Sequence, residues 1–199
     1  MSDFLPHPFW NFSLEVYGGD GAARACLELQ ERRGADVNVL LYCAWLGASG
    51  RGTVSLEKLK ALVADIAQWQ GEVVRPARAL RQKIKALGGA TAGSGADFPA
   101  QVEAARRKAA EAELAAEHVE QLVLAAHAPF SGDRDRPVRE RLRAAVGNLG
   151  VYAVCLGVTP DDQDRQAVAA ILAAAFPVMP RVEVERAVGL KAESTVHNL

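Results

Sequence analysis

The stretch GADVNVLLYCAWLG, from Gly34 to Gly47, decides the fold of this chain. Its residues from Val37 to Leu46 are apolar except for Asn38. Because a helix that is apolar on every side must be buried on every side, this stretch predicts a helix at the centre of the fold. Asp36 is suited to cap its N-terminus, since a carboxylate accepts hydrogen bonds from free backbone N–H groups.

Helical periodicity continues on both sides of this stretch. Residues 8–17 and 21–33 predict two shorter helices, and Gly34 suits the left-handed position that ends a helix. After it comes a run of apolar residues spaced three and four apart, with Gln70 as its only polar member, and Pro76 should kink or break it. This first predicted seam consists of Leu56, Leu59, Val63, Ile66, Gln70, Val73, Ala77, Leu80, Ile84 and Leu87.

A second heptad pattern follows the glycine-rich segment 88–97. Its members are mostly alanine, which allows a partner helix to approach closely. The two patterns together predict an antiparallel helical hairpin over residues 55–127. The second predicted seam consists of Val102, Ala105, Ala109, Ala112, Ala116, Val119, Val123 and Ala126.

The remaining chain predicts further helices that close the core. One starts near Pro137, and Thr159 is expected to cap the next. The whole pattern predicts an all-α, single-domain helical bundle with a buried central helix and a long antiparallel helical hairpin. We expect one helical domain over residues 1–188 and a frayed tail over 189–199.

Composition and charge narrow the function classes. The net charge is −1, so no overall field draws the chain to nucleic acid or to a membrane surface. The three cysteines are widely spaced within apolar runs, as expected for buried thiols in a reducing compartment. The N-terminus shows no pattern of a secretory signal, and no apolar run has the roughly 20 residues that span a bilayer. These features predict a soluble, cytoplasmic protein.

The N-terminal quarter resembles a bacterial family of conserved hypothetical proteins, a domain of unknown function. The resemblance rests on FWNFS (Phe9–Ser13), Tyr17, ACLELQ (Ala25–Gln30) and GADVNVLLYCAWLG, and on the spacing of these blocks. It implies a small all-helical bacterial protein, and it supplies no reaction, cofactor or catalytic residue.

The polar residues of these blocks define a candidate pocket. A buried, unpaired amide costs about 1–3 kcal/mol, so Asn38 must either complete a local network or serve a site. The structural network is the favoured interpretation, because buried polar groups are usually satisfied locally. The candidate ligand-binding pocket beneath the aromatic N-terminus comprises Trp10, Asn11, Glu15, Gln30, Asp36, Asn38 and Trp45.

Three other patterns have both a structural and a functional interpretation. Arg51, Thr53 and Ser55 precede a helix and could bind an anion, although a plain turn capped by Ser55 is favoured. The aspartates of TPDDQDR (159–165) could bind Mg²⁺, but stabilisation of a helix terminus is favoured. The basic segments 75–85 and 134–143 could bind nucleic acid, but they lack aromatic residues, and solvated helix faces are favoured. No metal site and no cofactor is predicted.

Two heptad patterns without recognisable chemistry favour a non-enzymatic protein that binds another protein or itself. A small-molecule-binding or enzymatic protein with its pocket at the N-terminal blocks is the alternative, and a nucleic-acid binder is the third hypothesis. Whether the chain is an enzyme stays open, with the balance against it, and no residue is assigned a catalytic role.

Overall fold

The computed structural model describes residues 4–90, 98–129 and 131–190, and it confirms an all-α bundle. The described residues form no β-strand. The helices are α1 (Pro8–Tyr17), α2 (Ala22–Arg33), α3 (Val37–Ala48), α4 (Leu56–Trp69), α5 (Arg75–Ala90), α6 (Phe98–Ala126), α7 (Val138–Cys155), α8 (Asp162–Ala175) and α9 (Arg181–Ala187), and a π-helical turn at Gln70–Val74 joins α4 to α5.

Helix α3 is the buried centre of the bundle, as its sequence predicts. Every residue from Asn38 to Gly47 is buried, and α3 contacts α1, α2, α6, α7 and α8. Phe9 of α1 stacks on Trp45 with 5.0 Å between ring centroids. Asp36 caps the helix as predicted, because its Oδ1 accepts a hydrogen bond of 2.8 Å from the Asn38 N–H.

The closest packing partner of α3 is α7. A Cβ placed on Gly47 would lie 2.3 Å from the backbone nitrogen of Ala145, so only a residue without a side chain fits there. Below this crossing, the buried Asn148 of α7 accepts a hydrogen bond from the Val54 N–H at 2.9 Å and donates to the Gly52 carbonyl at 3.0 Å. Helix α7 thus holds both α3 and the turn that follows it.

The predicted hairpin exists, since α4, the π turn and α5 all pack along α6. The register of the first seam, however, is wrong beyond Gln70. In the π turn the Arg75 N–H donates to the Gln70 carbonyl, five residues back, which adds one residue to the turn ahead of Pro76. The inward face is therefore rotated, and Val74 is fully buried, whereas Leu80 is 55% exposed.

The second predicted seam is also out of register. Ala109 and Ala116 are buried as expected, but Val119 and Val123 are exposed. Acidic and amide side chains occupy several of the inward positions of α6 instead. The buried residues of α6 are Ala109, Glu113, Ala116, His118, Glu120, Gln121 and Leu124.

The C-terminal helices close the core with one change from the prediction. Asp161, and not Thr159, caps α8, because its side chain accepts from the Asp164 N–H while Asp164 accepts from the Asp161 N–H. Asp164 is buried and pairs with Arg32 and Arg33 at the end of α2. Residues 191–199 of the predicted tail (189–199) and residues 91–97 of the glycine-rich segment (88–97) lie outside the described residues.

Two further predictions concern the cysteines, which are expected to be buried thiols, and the length of apolar helices relative to a bilayer. Cys26 and Cys43 are buried free thiols, and burial raises the pKa of Cys26 to about 12. Cys155 is a half-buried free thiol. Within the described part of the chain, no helix combines the length and the apolar composition needed to cross a bilayer.

We expect Gly47→Ala to lower the free energy of unfolding by about 1–3 kcal/mol, because the added methyl group overlaps the backbone of α7 and the helices must separate. Chemical denaturation of the variant measures this. Gly150→Ala on α7 is the control, since its Cβ would meet no atom within 4 Å. It should instead add about 0.5–1 kcal/mol, because alanine favours a helix more than glycine does. Equal stability of Gly47→Ala and the parent would contradict the close crossing.

A polar cleft between five helices as the candidate functional site

A cleft with a cavity of about 390 Å³ opens between α1, α2, α3, α5 and α6. Its rim carries apolar side chains that remain exposed, among them Leu14 (51%) and Leu27 (42%). Its deeper wall is polar. The residues that line it are Trp10, Ser13, Leu14, Tyr17, Leu27, Gln30, Glu31, Val37, Asn38, Leu41, Arg78, Arg81, Gln82, Lys85, Glu113, Leu114, Glu117 and Gln121.

Arg78 is the centre of the polar wall. Its Nε lies 3.0 Å from Glu113 Oε1, and its Nη2 donates to Glu117 Oε1 at 2.7 Å. Its Nη1 donates to the side-chain oxygen of Gln30. One guanidinium group therefore joins α5 to α6 and to α2. The direction of this side chain follows from the π turn, which rotates Arg78 toward α6.

Arg81 completes the charged cluster, and its Nε and Nη2 donate to the two oxygens of Glu113. Burial raises the pKa of Glu113, but the hydrogen bonds from Arg81 and Arg78 outweigh it and hold that pKa below its ordinary value. For Glu117 the balance is opposite, and burial keeps its pKa above the ordinary value despite the bond from Arg78. The two carboxyl groups thus differ in acidity, although they lie one helical turn apart.

The start of the central helix forms the floor of the cleft. Gln121 of α6 donates from Nε2 to Asn38 Oδ1 at 2.8 Å, and both side chains are buried. Behind them, Gln70 of the π turn donates to Asp36 Oδ2 at 2.6 Å. The Asp36 N–H donates to the Tyr152 hydroxyl of α7 at 2.8 Å. Asn38 therefore completes a buried network, which is the role that the sequence favours for it.

Glu120 lies behind this floor and is fully buried. Burial, followed by the charge of neighbouring Asp36, raises the pKa of Glu120 to about 9. A carboxyl group with that pKa carries its proton at neutral pH. Among the described residues neither carboxyl oxygen has a hydrogen-bond partner of good geometry, although Asp36 and Asn38 are close to it.

Two buried polar atoms of residues that line the cavity also have no partner among the described residues. They are the hydroxyl oxygen of Ser13, a residue that is 3% exposed, and the side-chain oxygen of Gln121, which is 4% exposed. Buried polar atoms of this kind are rare, because each costs about 1–3 kcal/mol. Both residues line the same cavity.

The structure brings together only part of the predicted pocket. Trp10, Gln30 and Asn38 line the cleft, and Asp36 lies behind its floor. Asn11 and Glu15 are exposed and do not line it, since residues three or four apart share a helix face and the cleft takes the face of Trp10, Ser13 and Tyr17. Trp45 is buried beneath Phe9.

The three residues of the predicted anion site have separate environments. The Arg51 guanidinium lies 4.2 Å from the centroid of the Trp45 ring, and its Nε donates to the Pro129 carbonyl. Ser55 caps α4 by accepting from the Lys58 N–H, which is the favoured structural interpretation. Thr53 is exposed. Anion binding there stays a prediction.

The acidic motif of residues 159–165 and the histidines form no metal cluster within the described residues. Asp161 and Asp164 bind the guanidinium groups of Arg32 and Arg33 and the first turn of α8. This is the stabilisation of a helix terminus that the sequence favours. Their carboxylate oxygens serve the junction of α2 and α8.

The charged wall of the cleft does not follow from the apolar pattern of the sequence. Glu113, Glu117 and Glu120 do not belong to the predicted seams, because every predicted seam position on α6 is an apolar residue. A signal was present, since Ala109, Glu113, Ala116, Glu120 and Leu124 have the same three-and-four spacing as an apolar seam. Arg78 could be recognised only together with the π turn that sets its direction.

We expect Glu120→Gln to stabilise the protein increasingly as the pH rises from 5 to 8. The raised pKa means that the folded protein holds a proton that the unfolded chain releases above about 4.5. The contribution of Glu120 to the stability of the parent is therefore greatest below that value and falls as the pH approaches 9, whereas a glutamine has no proton to lose. Thermal melts of both proteins across this range measure the difference.

Glu111→Gln is the control for this experiment, because Glu111 is exposed on the same helix. It should leave the pH profile of the parent unchanged. Parallel pH profiles for the parent and Glu120→Gln would contradict the prediction, because they would show that the folded and unfolded chains bind the same number of protons at Glu120 between pH 5 and 8.

We expect Asn38→Leu to cost about 1–3 kcal/mol, because it leaves the buried Gln121 amide without its acceptor. Chemical denaturation measures the loss. In the double variant Asn38→Leu/Gln121→Leu much of it should return, since neither polar partner remains. An unchanged midpoint for the single variant would mean that Asn38 does not hold the floor of the cleft.

The segment of the chain that forms the cleft matches a protein family. No curated protein and no solved structure matches the chain. The family match begins at the start of α1 and ends two residues before the end of α6, so it contains every helix that lines the cleft. Because residues 8–124, more than half of its length, match it, the chain belongs to the family of proteins of unknown function DUF2390.

Proposed function

We propose that the chain binds a small organic molecule in the cleft between α1, α2, α3, α5 and α6. The observation that carries this proposal is the pair of unpartnered, buried oxygens of Ser13 and Gln121, two residues that line this cavity from α1 and α6. A cavity of about 390 Å³ lies within the range of roughly 300–1,000 Å³ that is usual for small-molecule sites.

The energetics of the cleft support binding. Each unpartnered buried oxygen lowers the stability of the fold, and polar groups held at such a cost are characteristic of functional sites. A ligand that bonds to Ser13 and Gln121 would recover part of that cost. The exposed Leu14 and Leu27 at the rim would bury their apolar surface against the same ligand.

The polar wall is organised before any ligand binds. Arg78 is held by Glu113, Glu117 and Gln30, so its position does not have to be ordered during binding. Among the described residues, the one carboxyl group with a strongly raised pKa is that of Glu120, and it does not line the cavity. The proposal is therefore binding, and no residue is assigned a catalytic role.

A protein-binding or self-associating role has less support from the structure than from the sequence. That hypothesis rested on two heptad patterns, and α4, α5 and α6 pack on one another within this chain. The outward residues of α6, such as Val119 and Val123, remain exposed, and self-association stays a prediction.

A second cavity, of about 170 Å³, lies between α2, α3, α7 and α8. It is mainly apolar, and the Asp164 carboxylate at its edge is already bonded to Arg32 and Arg33. The cleft beside α1 is the better candidate because its wall combines apolar surface with unpartnered polar atoms.

We expect Ser13→Ala to weaken ligand binding while it leaves the fold as stable or more stable. The substitution removes a buried hydroxyl that has no partner among the described residues, so about 1 kcal/mol of stability should be gained. Small-molecule fragments that bind the parent, identified by ligand-observed NMR, should bind this variant at least fivefold more weakly. Thermal melts of the unliganded proteins measure the stability.

Ser49→Ala is the matched control, because Ser49 is equally buried but its hydroxyl donates to the Trp45 carbonyl at 2.6 Å. It should lose about 0.5–1.5 kcal/mol of stability and keep its affinity for the fragments. Fragments that bind Ser13→Ala as tightly as the parent, or a library in which no fragment binds, would overturn the proposal.

A further inference from the structure

The cleft contains three basic side chains, from Arg78, Arg81 and Lys85, and at first sight it suits an anion. The contacts of the arginines oppose that interpretation. Each of the three nitrogens of Arg78 already donates to an oxygen of Glu113, Glu117 or Gln30. Two nitrogens of Arg81 donate to Glu113.

The charges of the cleft also balance. Glu113 and Glu117 match Arg78 and Arg81 on the deep wall. At the rim, the exposed Lys85 has an acidic counterpart in the exposed Glu31. An incoming anion would therefore meet no excess of positive charge, and it would compete with the carboxylates that the two arginines already bind.

Among the described residues that line the cleft, the buried polar atoms without a partner are oxygens. Gln121 uses its Nε2 to donate to Asn38, so its unpartnered atom is the carbonyl oxygen Oε1, which can only accept. Among the described residues Glu117 accepts one hydrogen bond, from Arg78, although a carboxylate can accept several. The Ser13 hydroxyl can either donate or accept a hydrogen bond.

We infer that the cleft selects a ligand with a hydrogen-bond donor, in particular an amine, attached to an apolar body. The amine would donate to Gln121 and Ser13 at the floor, beside the Glu117 carboxyl. The apolar body would lie against Leu14 and Leu27 at the rim. This inference rests on the proposed function, and it specifies the chemistry of the ligand.

Three probes of nearly equal size test it: 2-phenylethylamine, 2-phenylethanol and 3-phenylpropionate. Each is titrated at pH 7 into the full isotope-labelled chain, and the side-chain amide resonances of Asn38 and Gln121 are followed by NMR. We expect the amine to bind at least tenfold more tightly than the carboxylate, with the alcohol between them. Perturbation of the Gln121 amide should accompany binding of the amine.

The variant Glu117→Gln tests whether the ligand acts as a hydrogen-bond donor in the cleft. It removes an acidic acceptor and frees part of Arg78, so the preference for the amine over the carboxylate should fall at least fivefold. Ser49→Ala, outside the cleft, should keep the preference of the parent. Thermal melts of both variants without ligand establish that they fold.

The outcomes separate this inference from the proposed function. If 3-phenylpropionate binds more tightly than the amine and loses affinity in Ser13→Ala, the donor preference is overturned while small-molecule binding stands. An unchanged preference in a folded Glu117→Gln also overturns it. If no probe perturbs Asn38 or Gln121, the result counts against both.

Discussion

The rest of this structure depends on the hydrogen bonds of Arg78 to Glu113 and Glu117. Helix α6 turns acidic side chains toward the interior, and buried charges without partners would cost several kcal/mol each. The guanidinium group of Arg78 pairs with two of these carboxyl groups and also donates a hydrogen bond to Gln30 on α2. Helices that apolar packing alone would press together are instead joined by long polar side chains, and the cleft occupies the space between them.

The parts of the fold that were predictable are those governed by local pattern. Residues 37–46 are almost wholly apolar, and burial of α3 follows from that composition alone. Asp36 and Gly34 define the start of α3 and the end of α2 through backbone requirements that lie within a few residues. Such features need no knowledge of the partner helix, so one sequence is sufficient to predict them.

The register of the hairpin was not predictable in the same way. A π turn shifts every later residue by one position, so Leu80 moves outward while Arg78 and Arg81 move inward. The apolar residues of the sequence still follow the heptad of the uninterrupted helix. A rule that places apolar residues inside must then fail, because the true inner face gains its free energy from paired charges and hydrogen bonds.

The candidate site lies beside the part of the hairpin in which the apolar pattern predicts the wrong inward residues. Trp10, Gln30 and Asn38 could be chosen from the sequence because they belong to the N-terminal blocks, whereas Gln121 comes from a helix more than 80 residues later in the chain. Gln121 nevertheless bonds directly to Asn38 at the start of the central helix. A ligand that binds Gln121 thus contacts the same amide that fixes the first turn of α3. Since binding to the folded state alone adds its free energy to stability, occupation of the cleft would also stabilise the core.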